Sequence, residues 1–284
     1  MRGALIRYRL RCVLCPRAHH LTNPETTAPS AMPADPSSAP ISPVPASPSS
    51  VPSAPPAPAG VSASPTASAP STPPSPLRAR IHGVYGITAE QPDTARLLQD
   101  VAAALEAGIR IMQYRQKHAP AAQRREQLQA LKALCAQHDA LLIVNDDWPL
   151  AAALGIGAVH LGEDDGDIAE ARRALGPEAL IGVSCYASVA RAQALAPVAD
   201  YLAFGALFAS GTKPLARRAS LDLFGQVRAL QLGLPLVGIG GIDAGNIGTV
   251  LAAGADAAAV IGSLFGQGDV GAAARALVAA AGRG

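Results

Sequence analysis

Aromatic side chains are scarce in this 284-residue chain, which has one Trp, four Phe and five Tyr. No basic stripe interleaved with aromatics occurs, and without one the usual composition of a nucleic-acid surface is missing. No uninterrupted apolar run approaches the roughly 20 residues that span a bilayer. The sequence therefore calls for neither a nucleic-acid nor a membrane partner. Cysteine is equally sparse, at Cys12, Cys15, Cys135 and Cys185. Cys12 and Cys15, followed by His19 and His20, look like half of a zinc site, but no second pair accompanies them and they are read as a chance match. Cys135 and Cys185 sit in apolar contexts and read as ordinary intracellular thiols, which fits a cytoplasmic protein. No Ser–His–Asp arrangement and no activated thiol stands out, so catalysis through a protein nucleophile is not expected.

What is abundant divides the chain in two. Residues 21–80 hold 17 of the 25 prolines, with 12 alanines, 13 serines and no aromatic residue. Such a segment buries too little apolar surface to offset its ordering entropy, so residues 1–79 are expected to be a disordered Pro/Ala/Ser-rich extension. The first 20 residues are Arg-rich and acid-free, as a transit peptide or an upstream start codon would make them, and are read as non-catalytic. The domain is placed at 80–284. It carries a slight excess of acid, so the overall charge of +2 resides in the extension and says nothing about partners.

From residue 81 onward, apolar runs recur at 82–87, 109–114, 141–144, 158–161, 180–184, 201–204, 236–239 and 257–261. Ala/Leu-rich segments of helical period lie between them. Helix starts are marked at Asp93, Pro120, Trp148-Pro149, Ser188, Ser220 and Asp243. Similar phrases, among them Ala199-Asp200 and Ala255-Asp256, introduce every second run. Eight β–α alternations predict an α/β fold closed as a (β/α)8 TIM barrel, with an open doubly wound sheet as the alternative.

In such a barrel the carboxyl ends of the strands converge on one mouth. The residues there are Gln113-Tyr114-Arg115-Gln116-Lys117, Asn145-Asp146-Asp147, His160 to Asp165, Ser184, and Ser210-Gly211-Thr212-Lys213. Arg115, Lys117 and Lys213 suit a polyphosphate. Asp146 and Asp165 can join them through Mg²⁺, which takes one or two protein carboxylates and fills its shell with phosphate oxygens and water. An ion pair between Arg115 and Asp146 is the plainer alternative. Asp147 is assigned to capping the following helix, Glu163 and Asp164 to solvent, and His160 to core hydrogen bonding.

The stretch 235–266 ends two apolar runs in glycines, at Gly240-Gly241 and at Gly262. Uncovered backbone N–H groups there would cradle a phosphate, with Asp243 capping a helix that runs to about residue 253.

The phrases QYRQK, VNDD, HLGEDD, GVSCY, SGTK and VGIGGI, in that order, resemble the thiamine-phosphate synthase family over residues 81–284. The resemblance implies a transferase of thiamine biosynthesis that joins a hydroxymethylpyrimidine diphosphate to a thiazole phosphate and releases pyrophosphate. It further implies that Gln113, Tyr114, Arg115, Gln116, Lys117, Asn145, Ser184 and Lys213 bind the pyrimidine diphosphate. Asp146 and Asp165 would take Mg²⁺, and Ser210, Gly211, Thr212, Gly241, Ile261 and Gly262 would hold the thiazole phosphate. Arg115, Lys117, Lys213 and Ser184 carry the catalytic expectation. Gln116, Glu163 and Ser210 depart from the family phrases, where Glu, Gln and Thr are usual. A thiazole tautomerase on the same barrel and a catalytically silent phosphate-binding regulator are the rival readings.

Overall fold

The computed structural model describes residues 74–209 and 218–282. The disordered-extension expectation for 1–73, the Cys12–Cys15 reading, and the Ser210, Gly211, Thr212 and Lys213 assignments lie outside the described residues.

Eight parallel strands close into a barrel in sequence order. They are β1 (Gly83–Ile87), β2 (Ile111–Tyr114), β3 (Leu141–Asn145), β4 (Ala158–Leu161), β5 (Leu180–Tyr186), β6 (Tyr201–Phe204), β7 (Leu236–Ile239) and β8 (Ala257–Val260), with β8 pairing back onto β1. The helices are α1 (Thr94–Glu106), α2 (Ala121–Gln137), α3 (Trp148–Ala153), α4 (Ile168–Leu175), α5 (Val189–Leu195), α6 (Asp222–Ala229), α7 (Ile247–Ala252), α8 (Gly262–Phe265) and α9 (Val270–Ala281).

Because strand side chains alternate, the core has two layers. The outer layer joins strands to helices through residues such as Met112, Val144, Val159, Val183, Leu202 and Val260. The inner layer fills the barrel with Tyr85, Ile111, Ile143, Leu180, Tyr201 and the small Ala257 and Ala259 of β8. Gly182 is obligatory in this layer, since a Cβ there would lie 1.9 Å from the Tyr201 ring. Local caps fall where the residue types place them. Asp93 accepts from Ala95 N–H at 2.9 Å, Asp147 from Leu150 N–H at 3.2 Å and Ser188 from Arg191 N–H at 3.1 Å.

The structure corrects two expectations. Order begins ahead of residue 80, with a 3₁₀ helix over Pro76–Arg80 capped by Ser75. Leu77 and Ile81 pack against the inner core layer, and Arg78 Nε binds Asp200 Oδ1 at 2.8 Å. Composition misjudged this stretch because two long-range polar anchors hold it as firmly as apolar ones would. Asp243, in turn, does not cap a long helix. Its Oδ1 accepts from Gly245 and Asn246 N–H at 2.8 and 3.2 Å in a turn, and α7 starts only at Ile247.

The recurrent small-residue–Asp phrase has a structural cause. Asp200 Oδ2 accepts from Ile181 N–H at 2.8 Å, and Asp256 Oδ2 accepts from Leu236 N–H at 2.6 Å. In both cases the residue ahead of an even strand ties down the start of the odd strand before it. Among the described residues, no helix is long and apolar enough to cross a membrane.

Candidate active site

The carboxyl ends of β2, β3 and β4 bring one cationic and two anionic groups together. Lys117 Nζ lies 2.9 Å from Asp146 Oδ2, and the Asp146 and Asp165 carboxyls share a hydrogen bond. Asp146 sits at φ 65°, a left-handed conformation that a non-glycine residue holds only when its surroundings enforce it. Asp165 Oδ2 accepts from Gly162 N–H at 2.7 Å, so its loop folds back on β4. Burial and the hydrogen bond with Asp165 raise the Asp146 carboxyl above its usual value, against the pull of Lys117. Burial acts the same way on Asp165, but the Asp146 hydrogen bond, the Gly162 N–H and Lys117 outweigh it and hold Asp165 below its usual value. Two adjacent carboxyls whose pKa values are pushed in opposite directions share one electrostatic site. Among the described residues no three His, Cys, Asp or Glu side chains cluster as a metal site would have them.

Arg115 does not pair with Asp146; its guanidinium lies 3.6 Å from Glu90, and Lys117 takes Asp146 instead. Glu90 also accepts from Lys117 N–H at 2.9 Å, and Thr88 Oγ1 accepts from Arg115 N–H at 2.9 Å. The loop after β1 thus holds the backbone that carries both cations. Nothing in the sequence distinguished Thr88 and Glu90 from other polar loop residues.

Across the barrel interior runs a continuous polar row. Gln113 Nε2 donates to the Tyr85 hydroxyl at 2.8 Å, and the Tyr85 and Tyr201 hydroxyls lie 2.9 Å apart. The Tyr201 hydroxyl meets His160 Nδ1 at 3.0 Å, and His160 Nε2 meets Ser184 Oγ at 3.0 Å. Burial lowers the His160 pKa to about 4, so the ring is neutral at ordinary pH. The expectation that His160 hydrogen-bonds in the core agrees with this geometry. Tyr85 and Tyr201 were not singled out beforehand, although both stand at inward-facing positions of apolar runs.

Beside Ser184 the β5 strand breaks register against β6, and Tyr186 adopts φ 55° with 43 % of its surface exposed. Arg191 packs over its ring at 5.7 Å, donates through Nε to Ser184 O at 2.9 Å and reaches Glu163 at 3.5 Å.

Two of the binding expectations turn away from the barrel axis. Tyr114 faces the helix layer, where its hydroxyl donates to Gln127 Oε1 at 2.8 Å. Gln116 is buried and donates to Gln91 O at 2.9 Å. Both line a lateral cavity of about 240 Å³ that also touches Lys117, Asn145, Asp146 and Arg124. Alternation explains the swap: odd-numbered Gln113 points inward, so Tyr114 must point out.

At β7 and β8 the two glycines serve different ends. Gly241 has φ 63°, and a Cβ there would lie 2.4 Å from Ala209 O and 2.8 Å from Phe208 Cβ. A side chain at this position is excluded by the neighbouring loop itself. Gly262 has open space where a Cβ would stand and begins α8, whose first N–H groups lack intrahelical acceptors. Ile261 precedes it, and its carbonyl accepts from Leu264 N–H at 3.1 Å. Ser263 Oγ donates to Ile242 O at 2.7 Å and binds the two loops together.

A closed parallel barrel with a carboxylate pair, cations and a bare helix start on its C-terminal rim is a (β/α)8-barrel enzyme. Residues 84–264 match the family model described as thiamine monophosphate synthase. The chain belongs to that family. It is 53 % identical over 199 residues to the thiamine-phosphate synthase of Chromobacterium violaceum, covering 70 % of this chain and 95 % of the relative. The thiamine-phosphate synthase of Methylobacillus flagellatus is 50 % identical over 196 residues, which is 69 % of this chain and 93 % of that protein. Among solved structures, the thiamine phosphate pyrophosphorylase from Pyrococcus furiosus superposes with a TM-score of 0.65 at 31 % identity, covering 73 % of this chain and 98 % of that one.

Proposed function

We propose that this enzyme condenses 4-amino-2-methyl-5-(diphosphooxymethyl)pyrimidine with 4-methyl-5-(2-phosphoethyl)thiazole, giving thiamine phosphate and pyrophosphate. The observation that carries the reading is the Lys117–Asp146–Asp165 cluster, set on the same rim as Arg115 and across the mouth from Ser184. A diphosphate leaving group needs charge neutralisation there, and its departure needs no protein nucleophile.

In this reading the exocyclic CH₂–O bond breaks and its electron pair leaves with pyrophosphate. The positive charge that remains is delocalised onto the pyrimidine ring and its amino group. The thiazole ring nitrogen then donates its lone pair to the methylene carbon and closes the C–N bond. Arg115 and Lys117 bind the diphosphate as a fork and a point charge. Lys213 is assigned to the same task by the sequence alone. Asn145, Gln113 and Ser184 orient the pyrimidine, while Gly262 and Ile261, with Ser210, Gly211 and Thr212, receive the thiazole phosphate. Gly241 shapes the loop beside them. Tyr114 and Gln116 support this shell from behind. Asp146 and Asp165 are the residues that would hold Mg²⁺, which supplies charge neutralisation of the leaving pyrophosphate. The protein's remaining work is to align the two substrates and exclude water, and that work needs no acid–base pair. A cytoplasmic setting suits the buried free thiols Cys135 and Cys185.

The test is pyrophosphate release assayed with both substrates, with each alone, and with EDTA. Release only when both substrates and Mg²⁺ are present supports the synthase. Turnover of a thiazole alone would point to the tautomerase, and no turnover at all to the silent regulator.

A further inference from the structure

Five side chains from five different strands form one hydrogen-bonded row inside the barrel, and its two ends, Gln113 and Ser184, are both residues assigned above to the pyrimidine. We propose that Tyr85, Tyr201 and His160 are positioning residues that set the hydrogen-bond polarity of those ends, making Ser184 a donor and Gln113 Oε1 an acceptor toward an aminopyrimidine. The inference rests on the reading that Gln113 and Ser184 touch this substrate.

The polarity follows from counting protons along the row. Gln113 Nε2 is a donor only, so the Tyr85 oxygen accepts at that contact. Among the described residues the Tyr201 oxygen, 2.9 Å away, is the one acceptor the structure places within reach of the Tyr85 proton, so Tyr85 donates there. Tyr201 in turn has one proton to give and meets His160 Nδ1 at 3.0 Å, so Nδ1 is the bare nitrogen of a neutral imidazole. That ring therefore carries its proton on Nε2 and donates it to Ser184 Oγ at 3.0 Å. With its oxygen occupied as an acceptor from His160, Ser184 has its own proton free for a ligand. At the opposite end the Gln113 amide has spent an N–H on Tyr85, which leaves Oε1 as the acceptor of that end. An aminopyrimidine presents the matching pair, a ring nitrogen that accepts and an exocyclic amine that donates. An acceptor on that amine also favours electron release into the ring, where positive charge develops.

Both tyrosines are fully buried and His160 is half-buried between them and Ser184, an environment that keeps all three uncharged. A neutral row can hold one polarity, whereas a charged imidazole would donate from both nitrogens and break the sequence of bonds. Packing fixes the geometry as well. The Tyr85 and Tyr201 rings meet edge-on at 6.2 Å, His160 stacks on Tyr201 at 5.6 Å, and only a glycine at 182 leaves room for the Tyr201 ring.

The direct test uses the intact wild-type protein. Nitrogen NMR of ¹⁵N-histidine-labelled enzyme, with the His160 signals assigned by their loss in His160→Gln, should show the Nε2–H tautomer. The Nδ1–H tautomer would mean that the row runs the other way and would overturn the proposal. The kinetic test compares Ser184→Ala, Tyr201→Phe, Tyr85→Phe and the Ser184→Ala/Tyr201→Phe double variant, each checked by its melting curve. Ser184→Ala should raise KM for the pyrimidine diphosphate about 10-fold, as for a lost hydrogen bond to a polar ligand. Tyr201→Phe should reproduce most of that rise while KM for the thiazole phosphate stays within about 2-fold, and the double variant should be no worse than Ser184→Ala alone. If Ser184→Ala weakens the pyrimidine but Tyr201→Phe and Tyr85→Phe do not, or if the effects multiply in the double variant, the row has no positioning role. If Ser184→Ala itself leaves KM unchanged, the substrate contact falls instead and the inference falls with it.

Discussion

The two ends of the barrel handle buried charge in opposite ways. At the amino-terminal end Asp200, only 1 % exposed, is fully engaged: Arg78 and Arg172 pair with its two oxygens, and the Ser75 and Ile181 N–H groups donate to them. At the carboxyl-terminal end Asp146 and Asp165 crowd together, with Lys117 as their nearby cation. Left-handed non-glycine residues occur at both ends: Asp139, paired with Arg80, ahead of β3, and Asp146 and Tyr186 at the rim. One end satisfies its carboxylate with fixed partners, and the other sets two carboxyls side by side with Lys117 2.9 Å from one of them. The contrast teaches where to look for function on this scaffold: at charges that lack their own settled partners.

The largest expected effect breaks the contrast at the rim. Asp146→Asn and Asp165→Asn should each lower kcat/KM about 100- to 1,000-fold in pyrophosphate release, the loss typical of a removed metal ligand or charge stabiliser. Melting temperature should hold or rise, because a crowded carboxyl has been neutralised. A drop in melting temperature with near-normal Mg²⁺ dependence would reassign that carboxylate to the fold.

At the amino end the pattern should invert. Asp200→Asn leaves two guanidinium groups short of a counter-charge and should cost about 3 kcal/mol of stability in denaturant titration, with kcat/KM of the folded enzyme little changed. Truncation supplies a graded version. Removing residues 1–73 should leave stability and turnover as they are, whereas removal through residue 79 takes away Ser75 and Arg78 and should destabilise measurably. Equal melting curves for the two truncations would show that the 3₁₀ helix is dispensable.

His160 sharpens the comparison from the interior. Its pKa is about 4 in the folded protein against an ordinary value of 6.5. The unfolded chain therefore binds more protons between those values, and stability must fall as pH drops from 6.5 toward 4. At about 1.4 kcal/mol per unit, the loss approaches about 3 kcal/mol. Asp146, held above its usual value, contributes with the opposite sign. The His160 share is thus read as the difference between the pH–stability curves of wild type and His160→Gln, and parallel curves would remove it.

The smallest effects separate the two rim glycines. Gly241→Ala should cost about 1–3 kcal/mol of stability from its positive φ and the clash with Ala209 O. Gly262→Ala meets open space and should spare stability while weakening the thiazole phosphate severalfold. Identical behaviour of the two variants, by calorimetry and by titration of each substrate, would erase the distinction drawn here.

What the chain itself determined is what short-range chemistry fixes. Apolar runs of strand length alternating with helical segments specify β–α units, and a capping side chain needs only the next few residues, so Asp93, Asp147 and Ser188 were legible in place. The location of Arg115, Lys117, Asp146, Asp165 and Ser184 at the mouth followed once the barrel was assumed, because every strand ends on the same rim. Partners across the barrel were not legible. Whether Asp146 meets Arg115 or Lys117 depends on strand tilt and on Glu90 from another loop, and Asp200 becomes an anchor only when Arg78, 122 residues away, reaches it. Tyr85 and Tyr201 look like ordinary apolar-run residues until closure of the sheet brings their hydroxyls to 2.9 Å across 116 residues of sequence. Pairwise contacts of that range depend on the relative placement of whole elements, and only the closed barrel supplies it.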